Sequence, residues 1–258
     1  MSVSTAAVAN LSTIYSSVPP SERPTAAARA GYRSVESWWP FESPLPSDQE
    51  LTAFVDAIET AGVELVALNF SLGDPAAGER GILSYPERAA EFREHVEVIR
   101  ELAVRLGVRL FCAPYGDRRP GLTDAEQQAT AVANLVHAHR RLSPLGGVPM
   151  LEPLSGVPTY PLRSAADAVA VIDQVDAVTG SRGAVGLLAD LYHLTVNGAD
   201  IDADIDAYAD RIVHVQLADH PGRHEPGTGR IDFDRHLTRL RAQGFRGRVA
   251  LEYFPSSP

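Results

Sequence analysis

The sequence predicts an α/β chain folded as a (β/α)₈ barrel. Three observations carry that reading. Eight short apolar runs alternate with seven longer amphipathic stretches within 258 residues, the arithmetic of parallel strands joined by crossover helices. The turn after the first run, Asn10-Leu11-Ser12-Thr13, has no glycine, which weakens the rival open doubly wound sheet with its glycine-rich phosphate turn. No low-complexity linker or short-period repeat divides the chain, so residues 1–258 are expected to form one domain.

The first strand, Ala7–Leu11, leads through a Pro-rich loop to a helix near Glu22–Ala30 that ends at Gly31. The second, Ser34–Trp38, leads through Pro40–Pro46 to a helix over Asp48–Ala61, opened by Ser47 and an acidic first turn and closed by Gly62. The third, Val63–Phe70, precedes a helix over Glu87–Leu106, where Phe92, Val96, Ile99, Leu102 and Ala103 recur at helical spacing ahead of Gly107. Val108–Ala113 precedes Asp124–Leu142, which Thr123 opens. Pro149–Glu152 precedes Ala165–Val178, with Gly180 just beyond. Ala184–Asp190 and Arg211–Gln216 precede helices over Asp202–Tyr208 and Asp234–Gln243, and Arg248–Glu252 is the last strand. Six residues follow Glu252, so the expected barrel lacks its final helix. Its place would leave an apolar strip over Val249, Leu251 and Val8, covered by a second subunit in a homo-oligomer or by Met1–Ala6.

Composition excludes several chemistries. All 23 basic residues are arginine, so no lysine is present for a Schiff base or a P-loop. A net charge of −10 argues against a nucleic-acid partner. The single cysteine, Cys112, excludes an internal disulfide and a multi-thiolate metal site, and it reads as a barrel-wall residue without a redox role. No apolar run reaches the roughly 18 residues of a membrane span, and the first basic residue is Arg23. The expectation is a cytoplasmic protein with no membrane partner.

The strand ends carry Asn10, Glu36, Asn69, Tyr115, Glu152, Asp190, Gln216 and Glu252. In a barrel these ends converge on the face that carries catalysis. Glu152, Asp190, Gln216 and Glu252, from strands five to eight, form a hard-oxygen set suited to Mg²⁺ or Mn²⁺. The alternative is that Asp190 caps the next helix and the glutamates pair with arginines. His193, three residues after Asp190, and Arg223, in the loop after the seventh strand, stand near this set. His214 shares a strand face with Gln216 and reads as a hydrogen-bonded interior histidine. Trp38-Trp39 either walls the pocket or packs under the Pro-rich loop.

The segments Gly73-Asp74-Pro75-Ala76-Ala77-Gly78-Glu79-Arg80-Gly81, Leu151-Glu152-Pro153, Asp190-Leu191-Tyr192-His193, His214-Val215-Gln216-Leu217-Ala218-Asp219 and Pro221-Gly222-Arg223-His224-Glu225-Pro226-Gly227-Thr228-Gly229 carry a resemblance. From Asn10 to Tyr253 the chain resembles the hydroxypyruvate isomerase family of the xylose-isomerase-like TIM barrel superfamily. The resemblance implies that Glu152, Asp190, Gln216 and Glu252 bind a divalent metal and that Glu152 and Glu252 form the acid/base pair. It implies that His193 and Arg223 contact the oxygens of a small hydroxy-keto acid or sugar; Asn69, at its own strand end, is expected to bind substrate as well. It implies isomerisation of hydroxypyruvate to tartronate semialdehyde through an enediolate. A ketose 3-epimerase, an isomerase of another short sugar acid and a non-catalytic sugar-acid binder are the alternatives. An abasic-site endonuclease would need a histidine-rich multi-zinc centre, which these strand ends do not supply. The loop Leu154–Tyr160 is expected to touch substrate.

Overall fold

A computed structural model describes residues 7–256. Eight parallel strands close in chain order: β1 Val8–Asn10, β2 Ser34–Ser37, β3 Glu64–Asn69, β4 Leu110–Cys112, β5 Val148–Leu151, β6 Gly186–Asp190, β7 Ile212–Leu217 and β8 Arg248–Leu251. The ring is sealed where Val8 pairs with Ala250 and Ala9 with Leu251. The helices are α1 Arg23–Arg29, α2 Asp48–Ala61, α3 Ala89–Leu106, α4 Asp124–Leu142, α5 Ala165–Thr179, α6 Leu191–Val196, α7 Ile201–Tyr208 and α8 Phe233–Ala242. All eight expected strands and all seven expected helices are present, with ends shifted by a few residues.

Local chemistry accounts for the helix ends. Ser47 and Thr123 each form a reciprocal capping box, with Glu50 and Glu126. Gly62, Gly107 and Gly180 close α2, α3 and α5 in the left-handed conformation. The five apolar residues spaced along α3 are all buried. The core has two layers. Val8, Val66, Ala67, Cys112, Met150, Leu188 and Ala250 fill the barrel interior, while the outward faces of the strands pack on the helices. Between β6 and β7 the register shifts at Leu187/Leu188, which sets Asp190 beside Gln216. Gly186 permits the close approach there, since a Cβ on it would lie 2.3 Å from Val213.

Two expectations need correction. Helix α6 was not foreseen; it spans only six residues, too short to show a periodic face, and Asp190 itself caps it. The bare apolar strip is also absent among the described residues. Val8 points into the barrel interior, and Leu251 is only 4% exposed within the outer core. Val249 alone of the three is partly exposed. A strand buried on both faces has no alternation to reveal which side is inward. Met1–Ala6, one of the two expected covers, lies outside the described residues.

Candidate active site

Glu152, Asp190, Gln216 and Glu252 are each brought to the end of a buried strand, and each is at least nine-tenths buried. The two terminal polar atoms of each side chain are treated unequally. Asp190 Oδ1 caps α6, accepting from the Tyr192 N–H at 2.8 Å and the His193 N–H at 3.4 Å. Its Oδ2 accepts no hydrogen bond. Gln216 donates its amide to Glu36 Oε1 at 2.7 Å, which leaves its carbonyl oxygen buried and unpartnered. Glu152 Oε2 accepts from the Cys112 thiol at 3.6 Å, and its Oε1 has no partner. Glu252 is more fully held: Oε1 accepts from Trp38 Nε1 and Asn10 Nδ2, and Oε2 from Arg223 Nη2 at 3.0 Å. Asp190 thus caps α6 and Glu252 pairs with Arg223, each through one oxygen, whereas Glu152 makes no arginine hydrogen bond.

A buried acceptor left without a donor is costly. Here three such oxygens come from consecutive strands. Oxygen donors of this kind suit a hard divalent cation, so the residues fit the metal that the sequence suggested. Glu152, Asp190 and His193 each place one atom within 4.8 Å of the other two. His193, however, reads as a donor. Its Nδ1 accepts the Ser155 N–H at 3.1 Å, which in a neutral ring puts the proton on Nε2. Nε2 lies 3.6 Å from Asp190 Oδ2 and 4.0 Å from Glu152 Oε1. Burial lowers the His193 pKa to about 4, so the ring is neutral near pH 7. Burial, then the neighbouring Glu252 and Asp190, pushes Glu152 well above the usual carboxylate range. Burial likewise pushes Glu252 up to about 8 against the lowering effect of Arg223.

A buried polar network adjoins these residues. Glu36 accepts from Asn10 Nδ2 at 2.8 Å and Gln216 Nε2 at 2.7 Å, and bonds His214 Nε2 at 2.6 Å. His214 is thus the hydrogen-bonded interior histidine expected. Glu36 was noted only as one strand end among eight; no local signal links residue 36 to residues 214 and 216. Ser155, which orients His193, was equally hidden within its loop.

Arg223 reaches the site from a strained backbone, with φ at 59° in a non-glycine residue. Asp219 holds that loop. It accepts N–H bonds from His220, Ile231 and Gly227 at 2.8–3.1 Å. Burial alone would raise its pKa, but these donors more than offset it and lower it. The chain after β8 braces the same loop, with the Phe254 N–H on the Arg223 carbonyl at 2.9 Å.

A cavity of about 430 Å³ opens over these groups. Its wall includes Asn69, Glu152, His193, Arg223 and Glu252, with Trp38 on one side and Leu154, Ser155, Gly156, Val157 and Tyr160 on the other. Asp190 and Gln216 are buried and do not line it. Trp38 walls the pocket, whereas Trp39 is buried, stacked edge-on against Phe41 and His95. Cys112 faces Glu152 from below; burial, then the nearby glutamates, raises its thiol pKa, which keeps it a donor.

Residues 24–258 match the family described as xylose isomerase-like TIM barrel, and the chain belongs to that family. Its curated relatives are named isomerases, and this chain is an isomerase. A Streptomyces coelicolor protein provisionally named hydroxypyruvate isomerase is 46% identical over 95% of this chain and 89% of its own length. The Escherichia coli hydroxypyruvate isomerase is 30% identical, covering 96% and 93%. A Haemophilus influenzae 2-oxo-tetronate isomerase is 32% identical, covering 96% and 92%. Among solved structures, a Brucella melitensis protein named AP endonuclease, family 2, superposes with a TM-score of 0.86 at 31% identity, over 97% of this chain and 93% of that one.

Proposed function

We propose that this isomerase interconverts a short α-hydroxy-keto acid and its hydroxy-aldehyde isomer, with hydroxypyruvate and tartronate semialdehyde as the three-carbon pair. The observation that carries the reading is the set of three buried oxygens without a hydrogen bond, on Glu152, Asp190 and Gln216, adjoining Glu252 and Arg223, whose guanidinium lies 3.5 Å from the Asp190 oxygen. Glu152, Asp190, Gln216 and Glu252 would hold Mg²⁺ or Mn²⁺, which when bound supplies Lewis-acid polarisation of the adjacent hydroxyl and carbonyl oxygens. Glu152 and Glu252 move the carbon-bound proton: one removes it from the hydroxymethyl carbon, and the other delivers a proton to the former carbonyl carbon, while the hydroxymethyl O–H proton passes to the former carbonyl oxygen. Burial raises both carboxyls in the metal-free chain, and a bound cation would favour their ionised, proton-accepting forms. His193, through Nε2–H, and Arg223 stabilise the negative charge that develops on substrate oxygen. Asn69 contributes a further polar contact on the cavity wall.

The name of the Brucella relative raises DNA cleavage as a rival. An oxygen-rich donor set and a net charge of −10 favour a small anionic substrate over a phosphate backbone. The test is NMR of hydroxypyruvate in D₂O with the Mn²⁺- or Mg²⁺-loaded protein. Tartronate semialdehyde, with deuterium at the carbon that receives the proton, is the expected product. Absence of both conversion and exchange contradicts the proposal.

A further inference from the structure

We propose that Arg80 binds the substrate carboxylate and so selects sugar acids over neutral sugars; this rests on the anionic-substrate reading above. Arg80 lies in the loop between β3 and α3 and lines the same cavity as Glu152, His193, Arg223 and Glu252. In the closed ring β3 stands opposite β7, so Arg80 and Arg223 come from opposite rims of the barrel mouth.

Their commitments differ. Arg223 is held against Glu252 at 3.0 Å and Asp190 at 3.5 Å. The Arg80 guanidinium makes one hydrogen bond, from Nη1 to the Gly78 carbonyl at 2.8 Å. Among the described residues it has no carboxylate partner. The adjacent acid is already engaged. Glu79 Oε1 accepts from Arg119, and Oε2 accepts from Arg88 at 2.5 Å and from the Asp74 N–H at 2.8 Å. Most of the planar donor fork of Arg80 is therefore free.

The backbone under Arg80 is fixed. Its carbonyl accepts the Gly116 N–H at 3.0 Å, and the Gly81 N–H donates to Leu72 at 2.7 Å. Gly81 has φ 108°, and a Cβ there would lie 1.9 Å from the Pro114 carbonyl. The loop thus presses against the strand β4 exit and presents Arg80 to the cavity from a set position. A guanidinium held this way matches a carboxylate with two parallel hydrogen bonds. A neutral ketose leaves it unpaired, and a site built for a polar partner discriminates strongly against an analogue without it.

The experiment compares hydroxypyruvate with dihydroxyacetone, in which a hydroxymethyl group replaces the carboxylate. Both are assayed with the metal-loaded wild type, Arg80→Gln and Arg80→Lys. In Arg80→Gln the ratio of kcat/KM for hydroxypyruvate to that for dihydroxyacetone is expected to fall roughly 10- to 100-fold, the scale of a lost charged hydrogen-bonded pair, chiefly through KM. Arg80→Lys, keeping the charge but not the fork, is expected to lie between, and it serves alone if Arg80→Gln does not fold. An unchanged ratio, whether from equal losses or from none, overturns the proposal. If the wild type converts neither compound, the hydroxypyruvate reading fails while Arg80 is still tested by quenching of tryptophan fluorescence. Hydroxypyruvate binding weakened at least about tenfold in the variant supports the carboxylate role, and equal binding overturns it.

Discussion

Glu36 and Glu152 are both buried glutamates at the mouth of one barrel, yet their surroundings are opposite. Glu36, in β2, is satisfied by Asn10, His214 and Gln216. Glu152, just past β5, has only a long thiol contact on one oxygen and nothing on the other. Glu36 braces the interior across the barrel, and by taking the Gln216 amide it turns the Gln216 carbonyl free. Glu152 keeps an acceptor for a ligand. The difference teaches that burial alone does not mark a reactive carboxylate; the state of its oxygens does.

The largest expected effect separates the two directly. Glu152→Gln should cut turnover by roughly 10³-fold or more, about 4 kcal/mol in barrier, without lowering Tm in metal-free protein, because a neutral amide replaces an ionisable carboxyl crowded against Glu252 and Asp190. Activity within about tenfold of wild type would remove Glu152 from the acid/base role. Glu36→Leu should do the reverse in kind, costing about 3–5 kcal/mol of stability by leaving buried donors unpaired. Urea unfolding that shows a loss under about 1 kcal/mol would dissolve the contrast.

The histidines sharpen it. His95 is fully buried against Trp39 and Phe70, and its Nε2 accepts the Ser71 N–H at 2.9 Å. Burial lowers its pKa from 6.5 to about 4. The unfolded chain therefore binds the proton first as pH falls. Stability contributed by this neutral ring is complete above pH 6.5 and is lost progressively down to about pH 4, by roughly 3 kcal/mol in all. Urea midpoints at pH 7 and 4.5 should differ less in His95→Gln than in wild type; equal differences would show that another group governs the slope. A smaller change is expected for Arg223→Lys, which forfeits the planar fork and should lower kcat/KM about 10- to 50-fold. An unaltered kcat/KM would place Arg223 outside the reaction.

The cage residues were legible in the sequence because a buried parallel strand reads as a continuous apolar run, against which a terminal Glu152 or Asp190 stands out. The repeated strand–helix alternation made the barrel legible for the same reason. What stayed hidden depends on closure of the ring. Glu36 meets His214 and Gln216 only when β1 pairs with β8. The inward facing of Val8 follows from barrel geometry in a three-residue strand with no alternation of its own. Ser155 and Arg80 sit on loops, where no periodicity announces a direction.

The most direct test of the central contrast is Mn²⁺ binding to metal-stripped protein, followed by electron paramagnetic resonance. The wild type should bind one Mn²⁺ per chain, Glu36→Gln should still bind it, and Asp190→Asn should bind it at least about tenfold more weakly, about 1.4 kcal/mol. No binding by the wild type, or equal binding by Asp190→Asn, would contradict the assignment of these oxygens to a cation.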